Sequence, residues 1–191
     1  MPRVTPDPDL PDRLADLVLP AADGSDVRLG DLWAQQPRVL VHLRHFGCLF
    51  CREHVIQLRE RADRIRALGA DLAAIGTGDR SYAADFRDAQ GIDFPLLVDE
   101  ALASYGAAGA QRGSLRTFLR PRQWVDGARA LLSGVGNGRP GKQPFMLGAT
   151  HVLTPQGRVP FAWINEDFGD NAPIDAVVAT LEEEQRGHTA A

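Results

Sequence analysis

Residues 39–69 read VLVHLRHFGCLFCREHVIQLRERADRIRALG, and this stretch decides the fold. It opens as a strand over 38–46. Val39, Val41 and Leu43 fall on one face, and Leu40, His42, Arg44 and Phe46 on the other. Apolar residues on both faces suit an interior strand covered from both sides. From residue 50 to 68 the period changes. Val55, Leu58, Ala62, Ile65 and Leu68 recur at steps of three and four with Arg and Glu between them, and Gly69 supplies a stop. That predicts a helix of about 28 Å at 1.5 Å per residue. Cys48 and Cys51, the two cysteines of the chain, stand where the strand pattern gives way to the helical one.

Working outward, residues 1–13 are polar and proline-rich and read as a flexible arm. DLVLPAADGSDVRLGDLW reads as two short strands joined at Asp23-Gly24-Ser25, then a short helical piece. After the long helix, DLAAIGTG is a second strand and residues 81–90 a second helix. FPLLVDE is a short strand whose Asp99 caps a helix over 100–105. In 107–147, arginines interleaved with Leu115, Phe118 and Trp124 suggest one or two surface helices and a glycine-rich loop, inserted where they would cover the cysteines. GATHVLTPQGRVPFAWI is a hairpin turning at Pro155-Gln156-Gly157. Trp163, Glu166 and Asp167 after it read as packing and a solvated loop. Pro173 opens a last helix with Ile174, Val177, Val178 and Leu181 on one stripe. The expected organisation is one α/β domain over 14–185 with a polar tail at 186–191. Its mixed sheet, a parallel pair extended by an antiparallel hairpin, lies between helices.

The chain has 191 residues, 44% hydrophobic and 24% charged, with a net charge of −4. That length builds a core without disulfide staples. The acidic balance and the lack of basic runs with interleaved aromatics argue against nucleic acid. No stretch is apolar enough to span a membrane, and the polar start does not resemble a signal peptide. A cytoplasmic location is the expectation. Disulfides made only for stability are rare there, so a close cysteine pair points to redox chemistry or metal binding.

A thiol reacts as its thiolate, and a helix start favours an anion because its first N–H groups lack intrahelical partners. Cys48 at that start is therefore expected to be the exposed, attacking sulfur. Cys51, one turn on, is expected to be more buried and to resolve the adduct into a Cys48–Cys51 disulfide. The adduct is a sulfenic acid if the substrate is a peroxide, a mixed disulfide if it is a disulfide. Arg44 and Arg52 would add positive potential, and His45 lies close enough to influence the thiolate. Two other readings remain open on these residues. One is that Cys48 and Cys51 are two buried structural thiols, a reading that their position between strand and helix speaks against. His45, Cys48, Cys51 and His54, evenly spaced at three, offer a zinc-type donor set, but on one helix they lie along a line and do not surround a tetrahedral ion. No metal site is therefore assigned. His42 is expected to be a core histidine with a hydrogen-bond partner, His54 to be a surface or packing residue, and His151 to be a packing residue.

These blocks resemble the peroxiredoxin-like branch of the AhpC/TSA antioxidant group, which has a thioredoxin-like fold. The similarity runs from about residue 14 to 181. LVLPAADGSDVRLGDLW resembles the entrance hairpin of peroxiredoxins, and VHLRHFGCLFCREH the Arg-x-Phe-Gly-Cys-Pro-Phe-Cys-Arg signature, with Leu49 in place of proline. LGATHVLTPQGRV and INEDFGDN resemble the closing hairpin and acidic loop. The resemblance implies thiol-dependent peroxide reduction by Cys48 and Cys51 without a cofactor. A thioredoxin-type protein or a low-molecular-weight thiol would be the reductant. A disulfide substrate and a non-catalytic redox sensor are the alternatives. Members of the branch are also associated with reducing an endoperoxide lipid. The Thr/Ser that helps hold peroxide in typical peroxiredoxins is His45 here, with Val41 at the proline position seven before Cys48. GAT replaces the cis-proline stretch of thioredoxins, which would set Thr150 facing the cysteines.

Overall fold

The computed structural model describes residues 4–113, 143 and 145–189. A short helix α1 (Leu10–Ala15) leads into strands β1 (Val18–Pro20) and β2 (Asp26–Arg28) and a 3-10 turn at Leu29–Leu32. Then come β3 (Arg38–His42), α2 (Leu49–Ala67), β4 (Asp71–Gly76), α3 (Arg80–Gln90), β5 (Leu96–Val98) and α4 (Ala103–Ala107). The chain closes with β6 (Ala149–Leu153), β7 (Phe161–Ile164) and α5 (Ile174–Thr189).

The main sheet has the order β5-β4-β3-β6-β7, so β3 is central. β3 runs parallel to β4, and β4 to β5, while β6 and β7 are antiparallel. Parallel neighbours require crossovers, and α2 and α3 supply them. The β1–β2 hairpin docks at the β5 edge through Ala22 N–H to Leu96 O at 2.8 Å, which covers an otherwise open strand.

Each face of the sheet carries its own core. On one face Val39, Val41, Leu72, Val98, Val152 and Phe161 pack under α2, α3 and α5 through Val55, Leu58, Ile65, Phe86, Val177 and Leu181. On the other, Leu40, Ala73, Ile75 and Leu97 meet Leu10 and Leu14 of α1, Leu29 and Trp33, and Tyr105 of α4. Burying a Leu, Ile or Val of this kind contributes about 1.5–3 kcal/mol, which secures a helix such as α2 that in isolation would be only marginally stable despite its good helix formers.

Several expectations change. β3 stops at His42, so the alternation does not reach Phe46. Phe46 turns to the α2 face, where its ring fills the space a side chain on Gly76 would need, 2.2 Å from that Cβ position. The arm is not free over its last residues: Leu10 is 2% exposed and begins α1, because its apolar side chain and Leu14 complete the second core. The helix after Asp99 begins at Ala103, and the Asp99 carboxylate caps it from a distance, accepting from Ser104 N–H and Oγ at 2.7 Å. α5 continues to Thr189, into the expected polar tail. Most of the inserted segment, including the surface helices and their suggested cover over the cysteines, lies outside the described residues.

Candidate active site

β3 ends at His42, and the chain makes a tight turn closed by Cys48 N–H to His45 O at 3.1 Å before α2 begins. Cys48 is the N-cap of α2, with extended backbone at φ −74° and ψ 125°, and its carbonyl takes the first helical bond from Arg52 N–H at 3.0 Å. The first turn of α2 has no acidic residue. Its positive end is therefore left for the cysteine sulfur rather than neutralised by a carboxylate.

Both cysteines are reduced, and both are 3% exposed. The expected contrast of an exposed Cys48 with a buried Cys51 is not found. The turn folds Leu43, Phe46 and the sulfurs into one apolar cluster. What separates the two thiols is their proton affinity. The Cys48 pKa is drawn down to about 6, chiefly by the Cys51 thiol donating to its sulfur. The Arg44 charge and the Cys51 and Phe50 backbone N–H groups add to this against the opposing effect of burial. Those N–H groups favour the anion without closing a full capping bond. The Cys51 thiol is pushed well up, first by burial and then by holding its proton toward Cys48. At pH 7 a thiol of pKa near 6 is about 90% ionised. The pair is one attacking thiolate beside one proton-bearing thiol.

The surrounding groups hold this arrangement. The Arg44 backbone N–H donates to Cys51 Sγ at 3.3 Å, and its carbonyl accepts from Thr77 Oγ1 at 2.9 Å. The Arg44 guanidinium lies 4.1 Å from the centroid of the Phe168 ring and 3.4 Å from His45 Nε2. Tyr105 reaches from the opposite face to donate to Leu43 O and, at 3.1 Å, to Ile75 O, binding the ends of β3 and β4 beneath the turn. Asn171 Nδ2 donates to Phe50 O at 3.2 Å and ties the loop after β7 to the first turn of α2.

Of the residues singled out from sequence, Arg44 is brought to the sulfurs by both backbone and charge. Arg52 sits half-buried in the first turn of α2. His45 is buried with its pKa lowered to about 4 by desolvation and by Arg44, so it is a neutral ring at pH 7 and not a base for the thiol. Thr150 pairs with Val41 and is buried, and that register puts it on the face of the sheet that carries the cysteine cluster. Among the described residues no three His, Cys, Asp or Glu side chains gather to hold a metal. His54 is buried, and desolvation lowers its pKa to about 4.

His42 departs from its expected role. Neither ring nitrogen has a hydrogen-bond partner among the described residues. The ring instead meets Tyr105 edge-on, with centroids 5.0 Å apart. The loop at 165–171 is also less solvated than expected: Asp167 and Phe168 are 6% and 2% exposed. Sequence reading missed Thr77, Phe168 and Tyr105. Thr77 follows β4 at the carboxyl edge of a parallel pair, where sites in open α/β sheets gather, and that position was its available signal. Phe168 stood inside the INEDFGDN block. Tyr105 carried no signal, since its partners are backbone carbonyls distant in sequence.

A family profile described as AhpC/TSA antioxidant enzyme matches residues 57–167, a span that begins after the cysteine pair. A chloroplastic thioredoxin-like protein of Arabidopsis thaliana is 33% identical over 50% of this chain, a match spanning 38% of that protein's length. The prostamide/prostaglandin F synthase of Danio rerio is 30% identical over 83% of this chain and 80% of its own. Among solved structures, the peroxidoxin BcpB of Mycobacterium tuberculosis superposes with a TM-score of 0.66 at 23% identity, covering 89% of this chain and 94% of that one. The shared architecture is the thioredoxin-like fold.

Proposed function

This chain belongs to the AhpC/TSA antioxidant enzyme family, in its peroxiredoxin-like branch, and from there we propose that it is a thiol peroxidase whose attacking sulfur is Cys48 and whose resolving sulfur is Cys51. The observation that carries the assignment is the geometry of the pair: Cys48 is the N-cap of α2 with Cys51 one turn on, an arrangement that draws the first thiol down to about 6 and pushes the second up. The Cys48 thiolate attacks one oxygen of the O–O bond. That bond breaks, the sulfur takes the oxygen as a sulfenic acid, and the other oxygen leaves as an alcohol, or as water from hydrogen peroxide, after gaining a proton. Cys51, still protonated, then condenses with the sulfenic acid. The S–S bond forms, the S–O bond breaks and water leaves.

The resulting disulfide needs two electrons from outside. A thioredoxin-type dithiol or two molecules of a small thiol supply them by exchange through a mixed disulfide. A reducing compartment such as the cytoplasm would keep that supply.

Burial of both sulfurs favours a small peroxide over a protein disulfide as substrate. A sulfur with 3% exposure admits a hydroperoxide, whereas in-line attack on a protein disulfide needs the helix start laid open. The cleft of about 370 Å³ between α2 and α5, lined by Glu53, His54, Glu60, Asn171 and Asp175, has neither sulfur in its wall. With no hydroxyl at position 45, Arg44 and Arg52 are the cations that would hold the peroxide oxygens. The fish relative is named for making a prostaglandin F product, so a lipid-borne O–O bond belongs among the substrates to try.

The test is rapid mixing of fully reduced protein with hydrogen peroxide, an organic hydroperoxide and a cyclic lipid peroxide, following loss of the Cys48 thiol. The expected result is a rate far above that of free cysteine for at least one of them. Cys48→Ser should abolish it, and a sulfenic acid should be trappable in Cys51→Ser. Rates no better than free cysteine with all three peroxides would overturn the peroxidase reading. Rapid exchange with a small disulfide would then take its place.

A further inference from the structure

Phe168 is a buried aromatic in an otherwise polar loop, NEDFGDN at 165–171. Its ring is fixed at the edge. The space a side chain on Gly113 would need is filled by Phe168 Cε1 at 2.9 Å and Leu147 Cδ2 at 3.2 Å. The loop around it is stiffened by Glu166 N–H to Asp170 Oδ2 at 2.8 Å and by Gly169 N–H to Asp167 Oδ1 at 3.1 Å. Asn171 anchors the loop to the start of α2. The ring meets the Arg44 guanidinium at 4.1 Å, well inside the range of a cation–π contact.

The Arg44 backbone is committed at both ends, to Cys51 Sγ and to Thr77 Oγ1, but a flexible side chain still has several places to go. The neutral His45 ring offers one acceptor at 3.4 Å, and Phe168 offers a face. An aromatic face holds a guanidinium without itself adding a counter-charge.

We propose that Phe168 is the positioning residue for Arg44: its ring holds the guanidinium over the cysteine end of α2, where the cation stabilises the Cys48 thiolate. This rests on the peroxidase reading only in taking the thiolate as the working species. Among the described residues, the ionisable groups on the elements that meet here include Cys51 itself, Arg52 on the first turn of α2, the neutral His45 and His54, Tyr105 from the opposite face, and Asp167 and Asp170 in the loop with Phe168.

The experiment is the pH dependence of iodoacetamide alkylation at Cys48 in the reduced full-length protein, read by mass spectrometry. Phe168→Leu should move the midpoint up by about 0.5–1 pH unit, because a guanidinium released from the ring spends less time near the sulfur and attracts the thiolate less. Phe168→Tyr should leave it near the wild-type value. In an Arg44→Gln background, Phe168→Leu should move it no further, because a ring that acts through the cation has nothing left to act on. A midpoint unmoved by Phe168→Leu, or moved equally with and without Arg44, overturns the proposal. Should Phe168→Leu fail to fold, Phe168→pentafluorophenylalanine keeps a similar ring but reverses its quadrupole. The midpoint must then rise, and an unmoved one overturns the proposal equally. No peroxide enters this readout, so slow peroxide turnover by the wild type would sink the peroxidase reading and leave this one intact.

Discussion

The backbone N–H of Arg44 donates to the sulfur of Cys51 at 3.3 Å, so the residue that leaves the central strand also seats the second cysteine of the helix. Seated there, Cys51 turns its own proton toward Cys48, and that donation is the largest influence lowering the Cys48 pKa. Thr77 holds the other side of the Arg44 peptide, so the geometry of the pair is set by strand ends and not by the helix alone.

The first consequence is that the two thiols are linked chemically before any peroxide arrives. Cys51→Ala removes the donor, and the alkylation midpoint of Cys48 should rise from about 6 by about one pH unit, the worth of a hydrogen bond to a charged group. Cys51→Ser keeps an O–H and should rise less. Equal midpoints in all three proteins would show that the helix terminus and Arg44 suffice.

Tyr105 ties Leu43 O and Ile75 O beneath the turn that carries the cysteines. Tyr105→Phe takes that donor from Leu43 O, while Ile75 O keeps the Leu43 N–H at 2.7 Å, and should cost about 1–3 kcal/mol of stability. Urea unfolding should show it as a lower midpoint with an unchanged slope. A midpoint within error of wild type would mean that the phenol is dispensable.

Gly148 lets β6 approach β3 where the site begins. A side chain there would meet His42 O at 2.4 Å and Asn165 Nδ2 at 3.1 Å. Gly148→Ala should destabilise the protein by about 1–3 kcal/mol, because the first contact is backbone and does not swing aside. Thermal or urea unfolding decides it.

Acid should weaken the fold steeply. His42, His45, His54 and His151 are buried and have pKa values of about 3 for the first and about 4 for the others, all lowered chiefly by desolvation. Below the ordinary value near 6.5 the unfolded chain takes up protons that the folded rings refuse. Stability therefore falls as pH drops from 6.5 toward 4, by about 1.4 kcal/mol per pH unit for each ring. Cys48 acts in the same direction: its lowered pKa adds stability that is full above its unfolded value near 9 and lost as pH falls through about 6. Urea midpoints measured between pH 7 and 4.5 should drop steeply, and His42→Leu should make the drop shallower. A flat profile would mean that these rings have found proton acceptors.

What was legible in sequence was whatever repeats at short range. The change of period between residues 38 and 68 located β3, α2 and the cysteines at their junction, because a strand alternates its side chains between two faces while a helix returns to one face every three to four residues. Boundaries were less legible. Phe46 fits the strand alternation on paper, but the strand ends at His42 and the turn sends the ring to the other face, into the space left by Gly76.

The sequence by itself determined that a thiol pair sits at a helix start, and so that one sulfur is favoured as an anion. That follows from the orphan N–H groups of any helix terminus. Only the tertiary structure decided how the pair is tuned. Arg44, Thr77, Tyr105 and Phe168 come from four separate segments and meet at the carboxyl ends of β3 and β4. Their side chains act through backbone carbonyls, a sulfur and an aromatic face, partners that leave no spacing in the chain. Burial of Cys48 belongs to the same class, since it depends on how a turn closes over its neighbours and not on any residue beside it.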